Sequence, residues 1–178
     1  MTDRRLIFET SRLSVRQYDL EKDAENFFLL NGDEEVMRYI RKPKKREECD
    51  AFLKEVIAAY EDKPLMGRWA VNEKQSGKFV GSFAFIPVEK TEDSQLGYAL
   101  LKEYWGKGFA TEAIALVVEY AFRRLNLHKL TAGCYSNNIA SVKAFKHAGF
   151  IEEGLLRRQY YCDGEYVDAI CLGVLKEE

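Results

Sequence analysis

Apolar and polar positions change period several times along the chain, and each change marks an element. LIFETSRLSVRQY, from residue 6, opens with apolar residues and then alternates around Leu13 and Val15, which predicts a first strand. DLEKDAENFFLLNG carries acidic residues early and ends in Asn-Gly, as a helix with a stop should. In KKREECDAFLKEVIAAYED, Cys49, Phe52, Leu53, Val56 and Ile57 share one side of an amphipathic helix. Residues 67–74 and 78–88 predict a hairpin joined near Gln75-Ser76-Gly77, with a third strand at 94–101. Within YWGKGFATEAIALVVEYAF, 104–122, the positions Ala110, Ala113, Ile114, Val117, Val118, Ala121 and Phe122 recur at helical spacing, the stripe of a helix packed on a sheet. KLTAGCY at 129–135 reads as a strand, and NNIASVKAFKHAGF as a short helix ending at Gly149. Residues 150–161 and 166–175 read as two closing strands around Asp163-Gly164.

The element order is mixed α/β with mostly antiparallel strands. Only 3 prolines occur, with no Gly/Ser tract or repeat, so residues 1–178 are expected to form a single domain. The balance of 27 basic and 29 acidic residues, net charge -2, argues against a general attraction to nucleic acid. Four cysteines without a CxxC pair, and only two histidines, suggest neither a metal site nor a disulfide framework. With no apolar run resembling a signal peptide or a membrane span, a cytoplasmic protein is expected, and no membrane partner.

Chemistry concentrates at Gly106 and Gly108, at the doorstep of the best-marked helix. The first amides of a helix have no partner inside it, and with the helix dipole they attract an anion. Two glycines allow successive N–H groups from Gly106 to Thr111 to converge on phosphate oxygens. The spacing is not GxxxxGK[S/T], and the third glycine of a dinucleotide loop is missing, which disfavours those two ligands. The two glycines by themselves are equally consistent with a tight turn.

Trp105-Gly106-Lys107-Gly108-Phe109-Ala110 resembles the Gln/Arg-x-x-Gly-x-Gly/Ala signature of the GNAT superfamily of acyl-coenzyme A dependent N-acetyltransferases, with Trp in place of Gln or Arg. TSRLSVR at 10–16, DEEVMRYI at 33–40, and Asn138-Ile139-Ala140-Ser141 with Gly149-Phe150 are similar to its branch that acetylates ribosomal-protein N-termini, the RimJ/RimL-like group. The resemblance implies a mixed, mostly antiparallel seven-stranded sheet flanked by about four helices, split between the strand ending near 101 and the strand at 129–135. It implies acetyl-CoA as cosubstrate, a primary amine as acceptor, and a homodimer, which exposed closing strands would support. Main chain of Ala99, Leu100 and Leu101 would meet the pantetheine arm. Amides of Gly106, Lys107, Gly108, Phe109, Ala110 and Thr111 would hold the pyrophosphate. Asn138 would contact the coenzyme beyond it, or only cap its helix; Lys143 would reach a phosphate at the adenosine end, or only face water.

Acetyl transfer needs a neutral amine, support for the oxyanion, and a proton for the departing thiolate. The tyrosine that supplies this proton in many family members is replaced by Phe145, so Ser141 becomes the candidate acid, its other reading being a helix cap or packing residue. The glutamate common in the branch before the strand's Gly-Tyr is replaced by Gln95, ahead of Gly97-Tyr98, and an amide accepts no proton. Glu112, Glu152 and Glu153 are candidates for a base acting through water, Glu112 equally for a residue that complements its helix dipole. A weak base favours an α-amine: deprotonation at pH 7 costs roughly 1.4 kcal/mol for an α-amino group but roughly 4.6 for lysine. A polyamine, an aminoglycoside, or a non-catalytic acyl-CoA sensor are the alternatives. Phe27, Phe28, Trp69, Phe83 and Phe85 read as core, the run Arg41–Arg46 as solvated surface or a contact for an acidic acceptor or ribosomal RNA, and Tyr160 and Tyr161 as acceptor cleft or packed turn.

Overall fold

The computed structural model describes residues 5–88, 91 and 93–177. The described residues contain eight strands and five α-helices, with strand order β1-β2-β3-β4-β5-β6-β8-β7. They divide into two compact units, residues 1–86 with 98–109 and residues 87–97 with 110–178.

In the first unit the opening stretch forms two strands rather than one, β1 (Leu6–Glu9) and β2 (Leu13–Arg16), paired antiparallel. Thr10 breaks the run: its hydroxyl accepts from the Arg12 and Leu13 N–H groups at 3.1 and 2.7 Å, a local bond that competes with a continuous strand. Helix α1 (Leu20–Asn31) starts at Asp19, whose carboxylate accepts from the Glu21 and Lys22 amides, and stops at Gly32. A short α2 (Glu34–Met37) is capped by Asp33 in the same way, and α3 (Arg46–Ala58) buries Cys49, Leu53 and Val56. The hairpin of β3 (Gly67–Glu73) and β4 (Phe79–Pro87) has the expected position. Phe27, Trp69, Phe83 and Phe85 are buried, so the aromatic group is core, while Phe28 is half-buried beneath Arg46. Asp23, 1% exposed, is the buried charge of this core, and both its oxygens accept from the Arg16 guanidinium at 2.7 and 2.8 Å.

Strand β5 (Ser94–Leu100) contributes Ser94–Gly97 to the second unit and Tyr98–Leu100 to the first. In the second unit it pairs in parallel with β6 (Lys129–Tyr135) at Ser94↔Leu130 and Gln95↔Thr131. β6 pairs along its length with β8 (Glu165–Leu175), which pairs with β7 (Ile151–Cys162). Asp163 and Gly164 join these two strands with φ of 53° and 87°, the left-handed pair of a two-residue hairpin. Helix α4 (Phe109–Arg124) buries Ala113, Ile114, Val117 and Ala121, four of the seven stripe positions, and α5 (Ile139–His147) ends before Gly149 as expected.

Candidate active site

The glycine loop begins where β5 ends. Leu101 donates its N–H to the Val80 carbonyl (2.9 Å), and a 3-10 turn, Lys102–Tyr104, follows. The Trp105 indole then donates to the Leu100 carbonyl at 2.7 Å, so the residue that departs from the family signature ties the loop to its strand. Of the three residues expected to meet the pantetheine arm, Leu101 has its N–H, and Leu100 its carbonyl, already engaged. The Ala99 carbonyl lies against Gly81, where an added Cβ would sit 2.1 Å from it. By the alternation of strand groups, the Leu100 N–H faces away from β4.

Gly106 and Gly108 have φ of 70° and 78°, the left-handed region where a side chain strains the backbone. They deliver the chain into α4, where the Phe109, Ala110 and Thr111 amides lie in the first turn. Arg12, from the β1–β2 turn, donates through Nη1 to the Lys107 carbonyl at 3.0 Å and lays its guanidinium over the Phe109 ring at 4.4 Å. In a trans peptide the C=O and the next N–H point oppositely. Holding the Lys107 carbonyl toward Arg12 therefore turns the Gly108 N–H away from Arg12. The sequence reading did not single out Arg12; nothing in local spacing couples a residue at position 12 to a loop at 107.

The second unit holds the other candidates. Asn138 caps α5, its Oδ1 accepting from the Ser141 N–H at 3.3 Å. The Ser141 hydroxyl lies 3.5 Å from the Cys134 thiol on β6. Burial pushes that thiol above its ordinary range, only partly offset by Ser141, so it stays protonated at neutral pH and makes a poor nucleophile. Lys143 is exposed on α5, and Phe145 is buried edge-on against Phe150 at 5.0 Å.

Gln95 is exposed, and an added Cβ on Gly133 would lie 3.7 Å from its Nε2 and 3.3 Å from the Tyr160 hydroxyl. Tyr160 stacks on Tyr135 at 4.1 Å between centroids, and burial raises the pKa of both phenols, keeping them protonated. Tyr161 packs instead on Tyr166 across the closing hairpin. Gln95, Gly133, Tyr135 and Tyr160 thus gather on one face; KLTAGCY predicts the strand but not which partner its Tyr meets. Glu152 and Glu153 are ion-paired with Lys146 and Lys129 at 2.8 and 2.7 Å, and Glu112 is half-buried in the first turn of α4. None of the four cysteines is in a disulfide.

A sheet of this order, followed by two left-handed glycines and a helix N-terminus, is the mixed α/β fold of solved acetyltransferases. The acetyltransferase (GNAT) domain model matches residues 12–151, and the chain belongs to that family. It is 31% identical over 173 residues, covering 96% of this chain and 97% of the relative, to the uncharacterized N-acetyltransferase YoaA of Bacillus subtilis (strain 168). Among solved structures it resembles the Vibrio cholerae spermidine N-acetyltransferase in complex with CoA and spermine, with TM-score 0.81, 25% identity, and 94% and 98% of the two chains covered. It also resembles the ribosomal-protein-S5-alanine acetyltransferase of Vibrio fischeri, with TM-score 0.80, 24% identity, and 96% and 97% covered. The protein is an acetyl-CoA dependent N-acetyltransferase of the GNAT type. No described helix is long and apolar enough to cross a membrane.

Proposed function

We propose that the acceptor is the α-amine of a protein or peptide N-terminus, as in the RimJ/RimL-like branch. The observation that carries this reading is the weak base. Gln95 stands where a carboxylate would be useful, while Glu152 and Glu153 are held by lysines. A base of that kind suits an amine that is already partly neutral at pH 7.

The coenzyme fits the first unit's loop: two left-handed glycines and a helix start offer convergent donors to a pyrophosphate. In this reading the amides of Gly106 to Thr111 hold that group, the Leu100 N–H meets the pantetheine arm, and Asn138 and Lys143 contact the coenzyme further out. The amine nitrogen attacks the thioester carbonyl, the carbon–sulfur bond breaks, and Ser141 gives its proton to the thiolate and regains one from water. The amine's proton leaves through water; were Glu112 to take it as an efficient base, the preference for an α-amine would be lost. No acyl-enzyme forms, since the Cys134 thiol is protonated and buried. We place the reaction in the cytoplasm. We also take the protein to be a homodimer joined through edge strand β7, where Ile151, Leu155 and Leu156 are exposed; sedimentation as a monomer at micromolar concentration would remove that assignment.

A polyamine acceptor is the second reading, favoured by the likeness to the structure solved with spermine. Thiol release from acetyl-CoA, followed against free N-terminal peptides, end-blocked lysine peptides and polyamines, tests the choice. Release with free N-termini alone supports the first reading, and release with spermidine or lysine overturns it.

A further inference from the structure

The other half-buried cations of the first unit are matched by carboxylates, Arg16 by Asp23 and Arg46 by Glu25 and Asp50. Arg41, Lys44 and Arg68 break that pattern. Their charged groups lie 5.3, 5.2 and 5.2 Å from the centroid of a single ring, that of Phe52. Among the described residues, no carboxylate forms an ion pair with any of the three.

The backbone fixes all three in place. The Arg41 and Lys44 N–H groups donate to the Met37 and Asn31 carbonyls at 3.0 and 2.9 Å, and Asn31 is itself buried with its amide on the Phe27 carbonyl. Arg68 lies within β3, its carbonyl accepting from the Tyr60 hydroxyl. Each of the three side chains is half-buried. Loss of solvent is the main reason the Arg41 and Arg68 guanidiniums fall below their usual range, Arg68 to about 10, with the Arg41 charge adding to the fall at Arg68. The paired Arg16 and Arg46 move the other way.

A partly desolvated cation without a counter-charge is unfavourable, and a second one facing it makes matters worse; the Phe52 ring face compensates only in part. An arrangement that is costly alone and complete once an anion enters has the form of a binding site. We propose that Arg41, Lys44 and Arg68 form a site for an oxyanion with two or more oxygens, a carboxylate or a phosphate. Guanidinium groups present paired N–H donors that match both, and Lys44 adds a mobile point charge. The site is independent of the acceptor and coenzyme assignments.

The test is thermal unfolding of the full chain at fixed ionic strength, with chloride replaced stepwise by inorganic phosphate or by succinate. The wild-type midpoint rises saturably, by about 5 °C at concentrations far above the dissociation constant. Arg68→Met loses this response and, in chloride alone, is at least as stable as wild type, because an uncompensated charge has been replaced by an apolar chain of similar length. A response to phosphate alone assigns a phosphate group, and a response to succinate assigns a carboxylate. Arg41→Met serves as the second variant if Arg68→Met does not fold. No shift of the wild-type midpoint beyond chloride, or an equal shift in the variants, as a general salt effect would give, overturns the proposal.

Discussion

Ser141 and Cys134 share a contact but have opposite fates in the proposed mechanism. Ser141 keeps an exchangeable proton next to the β6 strand, whereas the Cys134 sulfur is withdrawn from the solvent that would stabilise its thiolate. Ser141→Ala should lower kcat about 100-fold, the smaller end of general-acid effects, with the KM for acetyl-CoA nearly unchanged. Cys134→Ala should remain within a few-fold of wild type in the same steady-state assay; loss of activity there would indicate an acyl-enzyme. Arg12 acts on geometry instead. Removing its hold on the Lys107 carbonyl lets the adjacent peptide turn, since a glycine follows it. Arg12→Ala should weaken CoA binding about tenfold by titration calorimetry, with Arg12→Lys intermediate, because lysine keeps a donor but loses the planar stack on Phe109. At this scale the sequence showed residue type but not engagement. Asn138 was legible as a cap from its place before a helix, while Trp105 was visible only as a departure until its bond to Leu100 gave it a role.

Elements with a full period of apolar residues were readable in advance, and those defined by one side-chain bond were not. Helices α1, α3 and α4 carry stripes, caps or stops within their own sequence, and the Asp163-Gly164 hairpin follows from the dipeptide. The division into β1 and β2 depends on the Thr10 hydroxyl, a contact too small to register in any hydrophobic pattern. Strand β5 depends on a gap in its neighbour. Gly81 lets the Ala99 carbonyl come closer than any side chain would permit, and so sets how the strand bearing Leu100 lies on β4. Gly81→Ala should cost about 2 kcal/mol or more in urea unfolding, since the opposing atoms are backbone and cannot rotate away. The same variant should bind CoA more weakly even where it remains folded, which separates displacement of the strand from simple destabilisation.

For the whole molecule, the coenzyme assignment predicts linkage. Acetyl-CoA at 100 times its dissociation constant should raise stability by about 2.7 kcal/mol, or the melting midpoint by about 5–10 °C for a chain of this size. Scanning calorimetry with and without ligand measures it, and an unchanged midpoint would count against the loop as the coenzyme's seat. The fold class was legible because mixed strands and helices and a set of ordered motifs agree across most of the chain. The acceptor was not legible, and the face shared by Gln95, Tyr135 and Tyr160 could not be read either, since they come from three strands well apart in sequence.

The chain runs from the first unit at residue 86 into the second, back at 98, and across again after 109. Each unit is thus assembled from two separate lengths of polypeptide. No single cleavage releases either unit free of residues that belong to the other. A protease that nicks the segment before β5 should leave fragments that still elute together and are separated only by denaturant. Exchange of this molecule's parts with those of a relative would have to proceed by segments on both sides of β5, not by halves.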